Sequence, residues 1–441
     1  MSTSKVSFSQ INKIALPAIV AGIAEPLISL TDLAIIGGVD ENPTESLAAV
    51  GIVGSFLSAI IWILAQTKTA ISTEVSQKLG ANQLGSIKTL IPQILLFNLV
   101  FSVLIYLVTA YFATEIFQLY RAENTVLAYS VSYYKIRALG FPLTLLTFAM
   151  FGVFRGLQNT LWAMKISLIG GFVNILLSYL LVYGIEGLLP GFHLEGAAYA
   201  SLLAQFVMFV LTCFYFFKKT PFGIRLGTEI APGLKGLLMM SGNLFIRTLS
   251  LNIAIYLANA YATGYGNEYI AAQSILMNIW LFFSFFIDGY AGAGNAIGGK
   301  LKGENNYQKL WLLTKDILLY SIVIAIALAC ICGIFYSSVG LIFQAEELVL
   351  IEFEKVFWIV LLMQPINAIA FAMDGIFKGL GEAAFLRNLL LIATFLGFVP
   401  AILLGDFFNL ELTGIWIAFF VWMLLRSLIP YLYFKKNYLL S

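Results

Sequence analysis

Residues 14–38 read IALPAIVAGIAEPLISLTDLAIIGG. The run has 25 residues and two charges, whereas a bilayer-crossing helix needs only about 20 mostly apolar residues. The charges are Glu25 and Asp32, seven positions apart. Seven residues are about two helical turns, so both acids share one face, with Ser29 between them. A charge at mid-membrane costs roughly 2.5–3.5 kcal/mol even on the lenient insertion scale. Acids kept there face a cavity and bind a proton, a cation or a substrate, or are satisfied by polar groups of neighbouring helices. If Lys13 marks the membrane edge, a 1.5 Å rise per residue places Glu25 roughly 18 Å deep and Asp32 roughly 28 Å deep. A proton shared by two such acids is a property of the pair. Pro17 and Pro26 lie in the same run. Each removes a backbone hydrogen bond and permits a kink, so both are hinge candidates.

The rest of the chain has the same character. Of its 441 residues 60% are hydrophobic and 11% charged, where a soluble domain is nearer half apolar and a quarter charged. A net charge of +2 gives no reason to expect a nucleic-acid partner. Cys213, Cys330 and Cys332 fall in apolar runs without metal or redox spacing and read as small hydrophobes. The single histidine, His193, lies in a short polar loop. No cleavable signal peptide is expected, because the first apolar run is too long for one.

Twelve apolar runs are long enough to span: 13–38, 47–67, 88–112, 127–153, 162–184, 196–217, 236–262, 270–298, 309–335, 349–374, 384–405 and 412–434. Lysines and arginines gather at the N-terminus and after every second run, as at Lys78, Arg155, Lys218, Lys300, Lys378 and Lys435. The alternate loops are acidic, as at Glu45, Glu195 and Glu354. The positive-inside rule puts both termini in the cytoplasm, and an even number of spans requires the same.

The chain also repeats itself. LAAVGI (47–52) matches IAAQSI (270–275), QKLGAN (77–82) echoes GKLKGEN (299–305), and MFGVFRGL (150–157) matches MDGIFKGL (373–380). The offset is close to 223 residues each time. TDLAIIG (31–37) aligns with ANAYATG (258–264) once a shorter loop is allowed. The expected fold is therefore an all-α polytopic membrane protein of twelve transmembrane helices. Its two six-helix bundles are related by a pseudo-two-fold axis along the membrane normal. The expected division is 1–217, a cytoplasmic linker at 218–235, and 236–441. Parallel repeats of this kind build transporters whose halves rock about a central cleft.

The ordered series ALPAIVAGIAEPLISLTDLAIIGG, LAAVG, KLGA, FRGLQNT and GAAYAS resembles the multidrug and toxic compound extrusion (MATE) transporters. NLFIRTLSL around Arg247, FIDGYAGA around Asp288 and MDGIFKGLGEAAFLRN around Asp374 resemble the DinF branch of that family. The likeness runs along nearly the whole chain. It implies a cation-coupled antiporter that expels amphipathic, often cationic, organic compounds. It also implies a first-helix aspartate central to protonation, and Asp32 occupies that place. Relatives commonly carry an amide or apolar residue two turns earlier, where this chain has Glu25. Relatives often have an asparagine and, four residues on, an aspartate in the fifth helix. Here the pair is Asn174 and Ser178, as if the carboxylate had moved to Glu25. Ser201 fits the family's small hydroxyl on helix six. Asn295 stands where DinF relatives tend to have glutamate.

In the second half, Arg247 lies deep in its helix and needs a partner, either Asp288 or Asp374. Arg155 and Lys378 occupy matching repeat positions and read as topology anchors at cytoplasmic helix ends. Only Arg247 stands clearly inside a second-half span, and the first-half stripe is acidic, which favours cationic or neutral cargo. The expected coupling ion is a proton, with sodium the rival. No cofactor or resident metal is expected. The expected partners are small organic substrates and the lipid bilayer of a bacterial inner membrane, with the monomer as the working unit. A lipid-linked sugar flippase is the alternative from the same superfamily. No histidine cluster, nucleophile motif or phosphate loop points to an enzyme.

Overall fold

In the computed structural model the chain is helical nearly throughout. The described residues are 5–38, 42–185, 190–342 and 346–438, with the side chains of 24–30 excluded. Glu25, Pro26 and Ser29 are thus outside the described side chains. The first helix, α1, is Phe8–Gly37. After it come α2 (Pro43–Gly80), α3 (Leu84–Tyr111), α4 (Asn124–Ala138 and Phe141–Gly156), α5 (Leu161–Tyr183) and α6 (His193–Lys219). The second set is α7 (Leu234–Tyr265), α8 (Asn267–Gly303), α9 (Tyr307–Ile334), α10 (Glu347–Leu362 and Gln364–Gly379), α11 (Ala383–Phe407) and α12 (Glu411–Tyr438). Among the described residues nine are single helices long and apolar enough to cross a membrane, and α4 and α10 are bent pairs. With α1 they make the twelve expected spans.

The helices run past the apolar segments where the repeats lie. α2 continues from the expected end at 67 to Gly80, and α8 from 298 to Gly303. A helix has no need to stop at the hydrocarbon edge, since its backbone bonds are internal.

The duplication holds at the level of contacts. α4 bends by 46° and α10 by 52°. The second piece of each helix carries a proline at its start, Pro142 and Pro365, which are 223 residues apart. Proline removes one rung of the helix ladder and crowds the preceding turn, so the bend falls there. Gly152 and Gly156 of α4 face α2: a Cβ on Gly152 would meet the Lys68 backbone, and one on Gly156 would meet Val75 and the Ser72 carbonyl. Gly375 and Gly379 of α10 do the same to α8, at the Ala291 backbone and the Asn295 carbonyl. All four contacts shift together by 223 residues. Small residues four apart let two backbones touch, which is how helices gain packing energy where lipid removes the hydrophobic drive.

The chain forms two compact units. The N-terminal unit is Val20–Lys78 with Asn82–Leu238, and the C-terminal unit is Met1–Ile19, Leu79–Ala81 and Met239–Ser441. This differs from the expected 1–217 bundle at the start of α1. The reason is local packing within the C-terminal unit. A Cβ on Gly289 of α8 would strike Ile19 and the Ala15 carbonyl. Tyr290 OH donates to Asn12 Oδ1 at 2.7 Å, and Lys5 lies 3.5 Å from Asp316 of α9. The linker belongs to the N-terminal unit. Gln93 Nε2 on α3 donates to the carbonyls of Leu226 and Glu229, and Gln93 Oε1 accepts from the Ala231 N–H.

Candidate functional site

The N-terminal unit brings four of the expected residues together. Asp32 sits on the second half of α1 and is 6% exposed. Ser178 Oγ of α5 donates to Asp32 Oδ1 at 2.9 Å. Ser201 Oγ of α6 donates to Oδ2 at 3.4 Å, and Asn174 Nδ2 donates to Ser201 Oγ at 3.0 Å. One turn of α5 sets Asn174 over Ser178, so a single face serves both the carboxylate and the hydroxyl that supports it.

Among the described residues three carboxylates are buried: Asp32, Asp316 and Asp374. Asp316 has Lys5 and Asp374 has two cations. Among the described residues Asp32 has no salt bridge within 4.0 Å, and the hydroxyls of Ser178 and Ser201 donate to it. Asn174 Oδ1 beside it is buried with no hydrogen-bond partner among the described residues. A buried acceptor left unmade is costly, so this corner of the site lacks one donor.

Sequence reasoning overlooked Arg137. It lies in the last turn of the first α4 piece, within electrostatic reach of Asp32, and its Nε is buried without a hydrogen-bond partner. The signal was available, since residue 137 falls inside the expected span 127–153 and an intramembrane arginine is rare.

The second-half residues resolve differently. Arg247 of α7 is 5% exposed and pairs with Asp374 of α10, not with Asp288. Its Nη2 and Nε lie 2.7 and 2.9 Å from the same Oδ1. Lys378 Nζ lies 2.6 Å from Oδ2. Lys378 is therefore an ion-pair partner one helical turn from Asp374, a correction to its reading as an anchor. Asp288 is exposed on α8 but remains within electrostatic reach of Lys378. Arg426 of α12 is a further buried arginine that the sequence reading passed over. Asn295 is buried on α8 against the α10 glycines.

The second repeat does not rebuild the Asp32 site. By the alignment of 31–37 with 258–264, Asn259 takes the place of Asp32. An amide does not titrate, so the duplication leaves a carboxylate in one half alone at this position.

A duplicated twelve-helix membrane bundle with a buried carboxylate in one half and an ion-pair cluster in the other is the build of a secondary transporter, not an enzyme. A family model described as MatE matches residues 17–180 and 244–403, one segment in each half. The chain belongs to this family, the MATE transporters, and is of DinF-like type. It is 24% identical over 422 residues to DNA damage-inducible protein F of Escherichia coli (strain K12), covering 94% of this chain and 89% of that one. It is 28% identical over 292 residues to Protein DETOXIFICATION 45, chloroplastic, of Arabidopsis thaliana, covering 66% of this chain but only 50% of that longer protein. The fold matches a crystal structure of a MATE in the bent conformation with a TM-score of 0.90 at 21% identity, over 97% of this chain and 94% of that one.

Proposed function

We propose that this chain exports small amphipathic organic compounds in exchange for protons, with Asp32 as the proton carrier and alternating access between two faces of the membrane. The observation that carries the reading is an acceptor without a partner among the described residues, Asn174 Oδ1, in the cluster around a buried carboxylate. A proton on Asp32 supplies the donor that Asn174 Oδ1 lacks. Loss of that proton restores a carboxylate able to accept from Ser178 and Ser201. The two states thus prefer different hydrogen-bond arrangements of α1, α5 and α6, which is what a ligand-driven population shift requires. Glu25, seven residues before Asp32 in the sequence, is a second carrier in this reading. Pro17 and Pro26 give α1 places to bend. A membrane potential adds about 2.3 kcal/mol per charge per 100 mV to each exchange.

Sodium is the second reading. Asp32, Ser178, Ser201 and the amide oxygen of Asn174 are oxygen ligands, the type a hard cation takes. No cluster of three His, Cys, Asp or Glu side chains suited to a transition metal occurs among the described residues. Both termini lie in the cytoplasm in this proposal, from the loop charges.

The test is transport in proteoliposomes with pH and sodium gradients imposed separately. Export driven by the pH gradient and lost in Asp32→Asn is the expected result. Export driven only by sodium recasts the same residues as a sodium site. Failure of both gradients shifts the weight to the flippase.

A further inference from the structure

One charged cluster in the C-terminal unit holds more cations than acids. Lys378 and Arg426 each lie within electrostatic reach of Arg247, Asp374 and Asp288. Three cations face two acids, and Asp374 is already held by Arg247 and Lys378. Arg426 is 2% exposed and forms no salt bridge within 4.0 Å among the described residues. Its guanidinium lies over Trp422 at 4.4 Å and Phe371 at 5.5 Å. Nη1 reaches only the Met423 sulfur at 3.2 Å, and Nη2 has no hydrogen-bond partner among the described residues. Ring faces repay part of the desolvation of an arginine, but they accept no fork of N–H groups.

Two more donors are stranded in the same aromatic cluster. Trp280 of α8 lies tilted against Phe371 at 6.1 Å, the ring on which Arg426 also lies, and its indole N–H has no hydrogen-bond partner among the described residues. Gln273 lies two turns before Trp280 on α8. Its Oε1 accepts from Trp416 Nε1 at 2.9 Å, and its Nε2 has no hydrogen-bond partner among the described residues. An indole only donates, so this bond fixes the amide orientation and leaves the NH2 as the orphan. Three buried donors and an unbalanced charge all ask for an acceptor that carries negative charge.

We infer that the C-terminal unit holds an anion-binding site, in which Arg426 and Trp280, both beside Phe371, take the carboxylate of an aromatic or amphipathic compound and the surrounding rings take its apolar body. The cargo thus includes organic anions, against the cationic preference expected from the acidic first-helix stripe. The cargo assignment rests on the export reading above, whereas the anion site itself does not.

The experiment is calorimetric titration of the purified full-length protein with 2-naphthoate, 2-naphthylmethanol and 2-naphthylmethylammonium, which share one ring system and differ in charge. The expected order is naphthoate tightest, by about tenfold over the ammonium compound. Arg426→Gln should weaken naphthoate by about tenfold, and Arg426→Lys by less, since a point charge replaces the fork. Equal or tighter binding of the ammonium compound overturns the site, and this comparison needs no variant to fold. Unchanged naphthoate affinity in Arg426→Gln also overturns it. Sodium chloride titrated alone separates a free ion from a cargo carboxylate: heat from chloride and none from naphthoate overturns the cargo. Naphthoate binding that persists while gradient-driven export fails supports the anion site and counts against the export reading alone.

Discussion

Replacing Asp374 by asparagine keeps the shape of the side chain and removes the charge on which two cations converge. Arg247 meets one carboxylate oxygen through Nη2 at 2.7 Å and Nε at 2.9 Å, and Lys378 meets the other at 2.6 Å. Both members of the arginine pair are nearly sealed from solvent, while Lys378 is partly exposed. Breaking one partner of a buried pair costs about 3–5 kcal/mol, because the other charge stays buried. In a unit of roughly 150–250 residues, 1 kcal/mol moves the melting midpoint by about 2–4 °C. Asp374→Asn should therefore lower the midpoint by about 6–20 °C. Heating the detergent-solubilised protein and following the remaining monodisperse peak by size exclusion measures this, at one heating rate because unfolding is irreversible. Arg247→Met is the control. It leaves Asp374 with Lys378, so its loss should be smaller. A midpoint for Asp374→Asn within about 2 °C of wild type, or a larger loss in Arg247→Met, would refute the assignment of Asp374 as the anchor of the cluster.

Asp32→Asn should abolish pH-gradient-driven export yet leave a monodisperse protein, since an amide can still accept from Ser178; transport and size exclusion on the same preparation check both halves. Ser178→Ala should slow that export more than Ser201→Ala, because the Ser178 bond to Asp32 is 2.9 Å and the Ser201 bond 3.4 Å; initial rates at matched protein density decide it. Gly375→Leu and Gly152→Leu should each sharply reduce the yield of folded protein. Each leucine would drive a side chain into the backbone of the neighbouring helix, a clash worth more than the about 1–3 kcal/mol of ordinary overpacking. Normal yields of both variants would mean that the helix pairs can separate without cost.

Much of this molecule was legible in one dimension, for a physical reason. Lipid demands that each crossing segment satisfy its own backbone, so length and apolarity alone mark the spans. The runs at 88–112 and 412–434 agree with α3 and α12 within a few residues. The repeated MFGVFRGL and MDGIFKGL were readable as strings, and their glycines proved to be the matched points of helix contact. Asp32, Asn174, Ser178 and Ser201 were nominated by resemblance and polarity, and they meet. The bends of α4 and α10 were equally written at Pro142 and Pro365, but they went unread.

What sequence could not decide is which charges meet. Lys378 and Arg155 occupy equal repeat positions, yet Lys378 reaches Asp374 while the residue matching Asp374 in the first half is Phe151. Arg247 had two candidate partners at similar depth, and only the packing of α7 on α10 selected Asp374. Arg426 became significant once Trp422, Phe371 and the orphaned donors around it were placed. The sequence by itself determined the solvent of the fold, the number of crossings and their duplication, because those follow from backbone satisfaction in lipid. Ion pairing, orphaned hydrogen bonds and the balance of buried charge depend on distances of a few ångströms between helices far apart in the chain. Only the tertiary structure decided those.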